Sequence, residues 1–191
     1  MLEIYKNFLP KQISEIKALE IGPGDNPLLN EKEFFRTYYI DNEFETNSAN
    51  KINKNFLSFN HKESFDLIFE RLCWHEQNKN DWHQFLDNVI NHLAPNGIFI
   101  SEHAISHERM SFAEDYLEYD KNKMELYSKG INSAIRFIPP SFYIEKTLLS
   151  KNLNIKYFKI PFGQKVILNR SNPQTRNTDP DLLQLIAQKS T

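Results

Sequence analysis

The sequence predicts an α/β domain: an open, mostly parallel sheet with covering helices. Three observations carry that expectation. Short apolar runs of strand length alternate with segments of helical spacing through the first half of the chain. The first run, Ala18-Leu19-Glu20-Ile21, breaks into Gly22-Pro23-Gly24-Asp25-Asn26-Pro27, a glycine turn with a proline placed to open a helix. The second run, Tyr38-Tyr39-Ile40, stops at an acid, Asp41.

The elements follow in order. Tyr5, Leu9, Ile13 and Ile16 give Leu2–Ile16 a helical spacing that Pro10 breaks or kinks. Lys17–Ile21 is the first strand, and a helix is expected from Pro27 to Glu33, capped by Asp25 or Asn26. Arg36–Ile40 is the second strand and Ile52–Phe56 a short third. Phe65–Phe69 is a fourth, apolar as a parallel strand covered on both faces should be. Asp81–Leu93 puts Trp82, Phe85, Leu86, Val89, Ile90 and Leu93 on one helical face. Pro95-Asn96-Gly97 reads as a turn into a fifth strand, Ile98–Ser101.

The pattern then changes. Ser106–Ser128 has helical tendency, Pro139-Pro140 ends that region, and Ser141 caps a helix to Leu149. Ile155–Ile160 and Lys165–Leu168, split by Pro161-Phe162-Gly163, read as a closing hairpin. Asp179 and Pro180 start a tail helix carrying Leu182, Leu183, Leu185 and Ile186. The expected organisation is one domain over 1–170, with 106–140 as a substrate-side insertion, then a polar linker and C-terminal helix over 171–191. That helix is a candidate contact for a partner or a second copy.

Composition narrows the function classes. With 191 residues the chain is about one domain. A formal charge of −2 gives no broad basic field, which argues against nucleic acid and anionic membranes as partners. Cys73 is the one cysteine, so an intrachain disulfide and a thiolate zinc cluster are both excluded. The first residues lack the layout of a signal peptide, and no apolar run approaches the roughly 18 residues of a membrane span. A cytoplasmic setting is the expectation.

The glycine loop admits two cofactor classes. A dinucleotide fingerprint wants a third glycine for close packing of helix on strand, and here that position is Pro27. A pyrophosphate also prefers a loop without negative charge, whereas Glu20 and Asp25 flank this one. S-adenosylmethionine has no phosphate and carries a sulfonium and an ammonium, so nearby acids suit it.

With these residues in place, the sequence resembles the class I S-adenosylmethionine-dependent methyltransferases over roughly Leu19–Ser101. The first motif stands as Glu20-Ile21-Gly22-Pro23-Gly24-Asp25-Asn26, with Asn26 where the family often has a third glycine. Asp41 fits the acid that ends the second strand, about 20 residues on from the loop. Asn55-Phe56 stands where the family has an acid and an apolar residue at the adenine. Phe65-Asp66-Leu67-Ile68 and Leu93-Ala94-Pro95-Asn96-Gly97-Ile98-Phe99-Ile100 match the later motifs.

The resemblance implies a three-layer, Rossmann-like sheet of seven strands, the last antiparallel, and S-adenosyl-L-methionine as cofactor. It places Gly22, Pro23 and Gly24 along the methionine and ribose, and counts Glu20 and Asn42 among the cofactor-binding residues. Asp41 falls at the ribose, Asn55 and Phe56 at the adenine, and Glu70 and Arg71 at the methionine end facing the substrate.

A methyl on sulfonium is already activated, so a base is needed only for a nucleophile that arrives protonated. His75, just past the fourth strand, is the catalytic candidate; a half-buried histidine at a helix start is the bland alternative. Trp74, His103 and Tyr116 are candidate substrate contacts. His103 and His107 have the spacing of two metal ligands on one helical face, but no third ligand accompanies them, so no metal is expected. The Asn-Pro-Pro-Tyr motif in which amino-methylating enzymes resemble one another does not follow the fourth strand, and no Pro-Cys dipeptide offers the nucleophile of a cytosine-carbon methylase. That leaves oxygen or nitrogen, with sulfur or carbon ranked behind them, of a small-molecule or peptide acceptor. The competing readings are a partner-binding module that keeps the fold, and an enzyme of this fold with another cofactor or none.

Overall fold

The strands that read as continuous apolar runs form the middle of the sheet. The computed structural model describes residues 5–45, 47–111, 117–130, 133–167 and 176–190. β1 (Lys17–Ile21), β2 (Arg36–Asp41), β3 (Lys51–Asn53), β4 (Phe65–Arg71) and β5 (Leu93–Ile105) run parallel. β9 (Leu153–Lys159) and β10 (Asp181–Lys189) complete a seven-stranded sheet ordered β3-β2-β1-β4-β5-β10-β9. β10 is antiparallel to both β5 and β9. The expected sheet of seven strands with one reversed strand is therefore present.

One face is covered by two helices. α1 (Lys79–His92) starts at Asn78, whose side chain accepts from the amides of Asn80 and Asp81. It buries Trp82, Phe85, Leu86 and Val89 against β1, β4 and β5 in the larger core. Each such side chain is worth roughly 1.5–3 kcal/mol on burial. α2 (Ser141–Ser150) adds Ile144 and Leu148 to the same core. Pro140 holds its N-cap position with no side-chain bond, so Ser141 is its first residue rather than its cap. The other face is covered by Tyr5, Ile16, Leu29 and Phe34, from the segments flanking β1.

Several expected elements differ. No helix follows the glycine loop: Pro27–Glu33 is a chain of bends and turns. So short a stretch cannot recover the cost of helix nucleation, and the Glu20 carboxylate takes up the amides of Leu28 and Leu29 instead. Before β1, Tyr5 and Lys6 are helical and only a 3-10 turn, Ile13–Glu15, follows the break at Pro10. The expected third strand shifts to Lys51–Asn53, and Phe56–Ser58 is a 3-10 turn.

Helix was expected over Ser106–Ser128, and strands are found. β6 (Leu117–Asp120), β7 (Glu125–Ser128) and β8 (Ala134–Phe137) form a small antiparallel sheet. Its Leu126 packs with Ala104, Met110, Ile138 and Val166 in a satellite core over the carboxyl end of β5. The tail helix is also corrected. Residues Asp181–Lys189 are β10, seated between β5 and β9, so β9 pairs with β10 and not with Lys165–Ile167, and Leu168 lies outside the described residues. Lys165 makes only an isolated bridge to Asp181. A partner contact through a C-terminal helix has no helix to rest on. No helix among the described residues is long and apolar enough to cross a membrane.

Candidate active site

The carboxyl ends of β1, β2, β4 and β5 enclose a cleft of about 750 Å³. In an open parallel sheet this is where ligands bind. Gly22 and Gly24 both hold positive φ, 64° and 55°. At Gly24 a side chain would meet nothing within 4 Å, so its main chain lies open to the cleft. At Gly22 a Cβ would stand 2.1 Å from the Cys73 sulfur, so the β4 loop closes directly onto the glycine turn.

Asp41 is already oriented. Its Oδ2 accepts from the Gly24 amide at 3.1 Å and its Oδ1 from the Glu43 amide at 3.0 Å. A carboxylate offers about four lone-pair positions, so two remain for a diol. Glu20 is 3 % exposed and its oxygens take the Leu28 and Leu29 amides, at 2.9 Å each. Burial pushes its carboxyl up and those amides pull it back. It borders the cleft while fixing the loop that replaces the expected helix. Phe56, Leu57 and Phe85 form an apolar wall beside Asn55, whose Oδ1 accepts from the Leu57 amide at 2.9 Å.

The far end of the cleft is lined by Arg71, Leu72, Gln77, Glu102, Val166, Ile167 and Leu182. Leu72 sits at φ 62°, a conformation that costs a bulky side chain energy and marks a constrained position. Its amide is held by the Glu102 carbonyl at 2.8 Å.

The cleft gathers Glu20, Gly22, Pro23, Gly24, Asp41, Asn42, Asn55, Phe56 and Arg71. It does not gather the rest. Glu70 is fully buried and turned away, accepting from the amides of Cys73 and Trp74 at 2.9 and 3.2 Å and from the Ser101 hydroxyl. Burial pushes its carboxyl up to about 7 against the pull of those donors. The turn Trp74–Glu76 points Trp74 and His75 inward. Trp74 stacks on Trp82 at 4.3 Å and donates its indole N–H to the Trp82 carbonyl, so it is core and not a pocket wall.

His75 is 2 % exposed and does not border the cleft, which removes it as a base for a bound acceptor. His103 is fully buried on β5, its ring 5.9 Å from that of His75, and it too is no substrate contact. Burial holds both imidazoles neutral, His103 down to about 3. His107 is not its partner on a helix: its Nδ1 accepts from the Arg109 amide and its Nε2 donates to the Asp179 carbonyl. No group of three metal-binding side chains exists among the described residues. Tyr116 lies outside the described residues. Glu102, Gln77, Phe85 and the Lys165–Ile167 segment were missed; only Phe85 had a signal, as part of the buried face of α1.

A family model described as a methyltransferase domain matches residues 1–136. No curated protein sequence matches the chain. Among solved structures, an S-adenosylmethionine-dependent methyltransferase from Clostridium acetobutylicum is similar with TM-score 0.66 and 14% identity, over 100% of this chain and 90% of that one. One from Methanosarcina mazei gives 0.67 and 17%, over 100% and 98%. The 1,6-didemethyltoxoflavin-N1-methyltransferase of Burkholderia thailandensis, solved with S-adenosylhomocysteine, gives 0.64 and 12%, over 99% and 76%. These likenesses are likenesses of fold.

Proposed function

We propose a function from the premise that the chain belongs to the methyltransferase-domain family and is an enzyme of methyl transfer. S-adenosyl-L-methionine is the cofactor, and the acceptor is an oxygen or nitrogen of a small molecule or peptide. One observation carries the reading of the site: a glycine turn bonded to Asp41 of the neighbouring strand, with no helix behind it. A pyrophosphate would want the amides of a helix N-terminus. Here that place is a bend, and Glu20, Asp41 and Glu43 border it. Adenosine linked to a sulfonium fits such a site; a dinucleotide does not.

In this reading Asp41 holds the ribose hydroxyls and Asn42 flanks it. The apolar wall of Phe56, Leu57 and Phe85 covers one face of the adenine, with Asn55 at its edge. The main chain of Gly22–Gly24 lies along the methionine, and Arg71 faces its carboxylate. When bound, the cofactor supplies a methyl group already activated by sulfonium. The protein's part is to align the acceptor with it and keep water out. Leu72, Val166, Ile167 and Leu182 form an apolar wall suited to that task. The Rossmann-like frame alone would suit a partner-binding module, but membership of a family of enzymes favours catalysis.

Calorimetry tests the site. S-adenosylhomocysteine and S-adenosylmethionine are expected to bind and NAD to give no heat. Asp41→Ala should weaken both by about 1–3 kcal/mol, roughly 5- to 150-fold. Unchanged affinity in that variant removes Asp41 from the site, and NAD binding removes the cofactor assignment.

A further inference from the structure

We propose that Glu102 is the acceptor-facing residue of the cleft and that it selects a nitrogen acceptor, taking the proton that methylation releases. This rests on the methyltransferase reading above and narrows its acceptor. Glu102 stands on β5 at the floor of the far end, 3 % exposed, and borders the cleft. Its Oε1 is fixed by two donors, the Tyr5 hydroxyl at 3.2 Å and the Gln184 side-chain amide at 3.1 Å. Its Oε2 has no donor among the described residues. A buried carboxylate with one oxygen tied and the other open to a cavity calls for a ligand that donates N–H or carries positive charge.

The neighbouring charges do not supply that partner. Arg71 is paired with Glu102 in the strand register, but no ion pair joins them among the described residues. Lys165 is engaged by Asp181 at 2.6 Å, and Glu76 by Arg136 at 3.2 Å. Among the described residues no cation is joined to Glu102, which borders the cleft.

The chemistry separates the acceptor classes. A carboxylate acceptor would be repelled by Glu102. An alcohol would have to lose a tightly held proton, for which the Glu102 carboxylate is too weak a base, and His75 and His103 are sealed away from the cleft. A nitrogen needs no prior ionisation if it arrives with its lone pair free. That lone pair forms the new N–C bond as the donor's carbon–sulfur bond breaks and leaves its electron pair on sulfur. The nitrogen becomes cationic beside Glu102, and its proton passes to Oε2 and then to water. The carboxylate is placed where positive charge develops, which is where it lowers the barrier.

The test uses the full chain saturated with S-adenosylhomocysteine and three matched probes: phenethylamine, 2-phenylethanol and 3-phenylpropionate. Phenethylamine, as its ammonium, has the charge and N–H donors of the methylated product before proton loss, and the common phenyl group suits the apolar wall. Calorimetry on the complex should show the amine binding at least about ten-fold more tightly than the other two. Glu102→Gln should abolish that preference while leaving S-adenosylhomocysteine affinity unchanged. No amine preference in the wild-type complex, or tighter binding of the propionate, overturns the inference even if the variant fails to fold. Failure of S-adenosylhomocysteine itself to bind would instead overturn the methyltransferase site.

Discussion

Gly22 answers two separate demands. Its φ of 64° disfavours any side chain, and the Cys73 sulfur occupies the place of its Cβ. The sulfur rests 3.5 Å from the Ile21 carbonyl, and burial pushes the thiol well above its ordinary value, so Cys73 packs and does not act as a nucleophile. Gly22→Ala should lose about 2–4 kcal/mol by urea unfolding, from overpacking and backbone strain together. Adding Cys73→Ala should recover all but the roughly 1 kcal/mol owed to the backbone. If the two changes are additive, the contact is not felt. The positions of Gly22 and Asp41 could be read from sequence because they follow from short-range rules: a turn needs a glycine, and an acid ends a strand. Glu102 could not. The role proposed for it depends on Tyr5 and Gln184, which come from distant segments and fix one of its oxygens. Trp74 and His75 looked like pocket residues because they follow β4, but a single turn rotates both into the core.

At the scale of elements, β10 decides the architecture. Leu183, Leu185, Ile186 and Ala187 are fully buried between β5 and β9. Leu185→Pro removes a ladder donor and inserts a ring in an interior strand, so it should abolish the cooperative unfolding transition seen by circular dichroism. A docked surface helix at that place would lose only about 3 kcal/mol and stay folded. β1, β2, β4 and α1 were readable because each carries an unambiguous local period or a complete apolar run. The tail was not. Leu182, Leu183, Leu185 and Ile186 satisfy helical spacing as well as they satisfy a strand covered on both faces. What chooses between them is a vacant slot in the sheet, which is non-local. The same holds for β6, β7 and β8, which form strands because each finds a neighbour to pair with.

For the whole molecule, the fully enclosed groups His75, His103 and Glu70 shape stability against pH. His75 and His103 stay neutral in the fold, His103 down to about 3, whereas an unfolded histidine protonates near pH 6.5. Below about 6.5 the unfolded chain therefore binds more protons and stability falls with acid. Glu70 works in the opposite sense: it keeps its proton in the fold up to about 7, while its unfolded form loses it near 4.3. Between about 4.5 and 6.5 two imidazoles outweigh one carboxyl, so the net change is a decline as pH drops. Urea unfolding at pH 5, 6 and 7 should show that decline, roughly doubled in slope by Glu70→Gln and nearly flat in His103→Gln. An unaltered slope in Glu70→Gln would mean that the buried carboxyl is ionised. The position of β10 also bears on how the protein is made. During translation β5 and β9 both emerge before the strand that belongs between them, so the nascent chain carries two open edges until residue 189 has cleared the ribosome. Over that interval the unpaired strand edges are open to pairing with other chains.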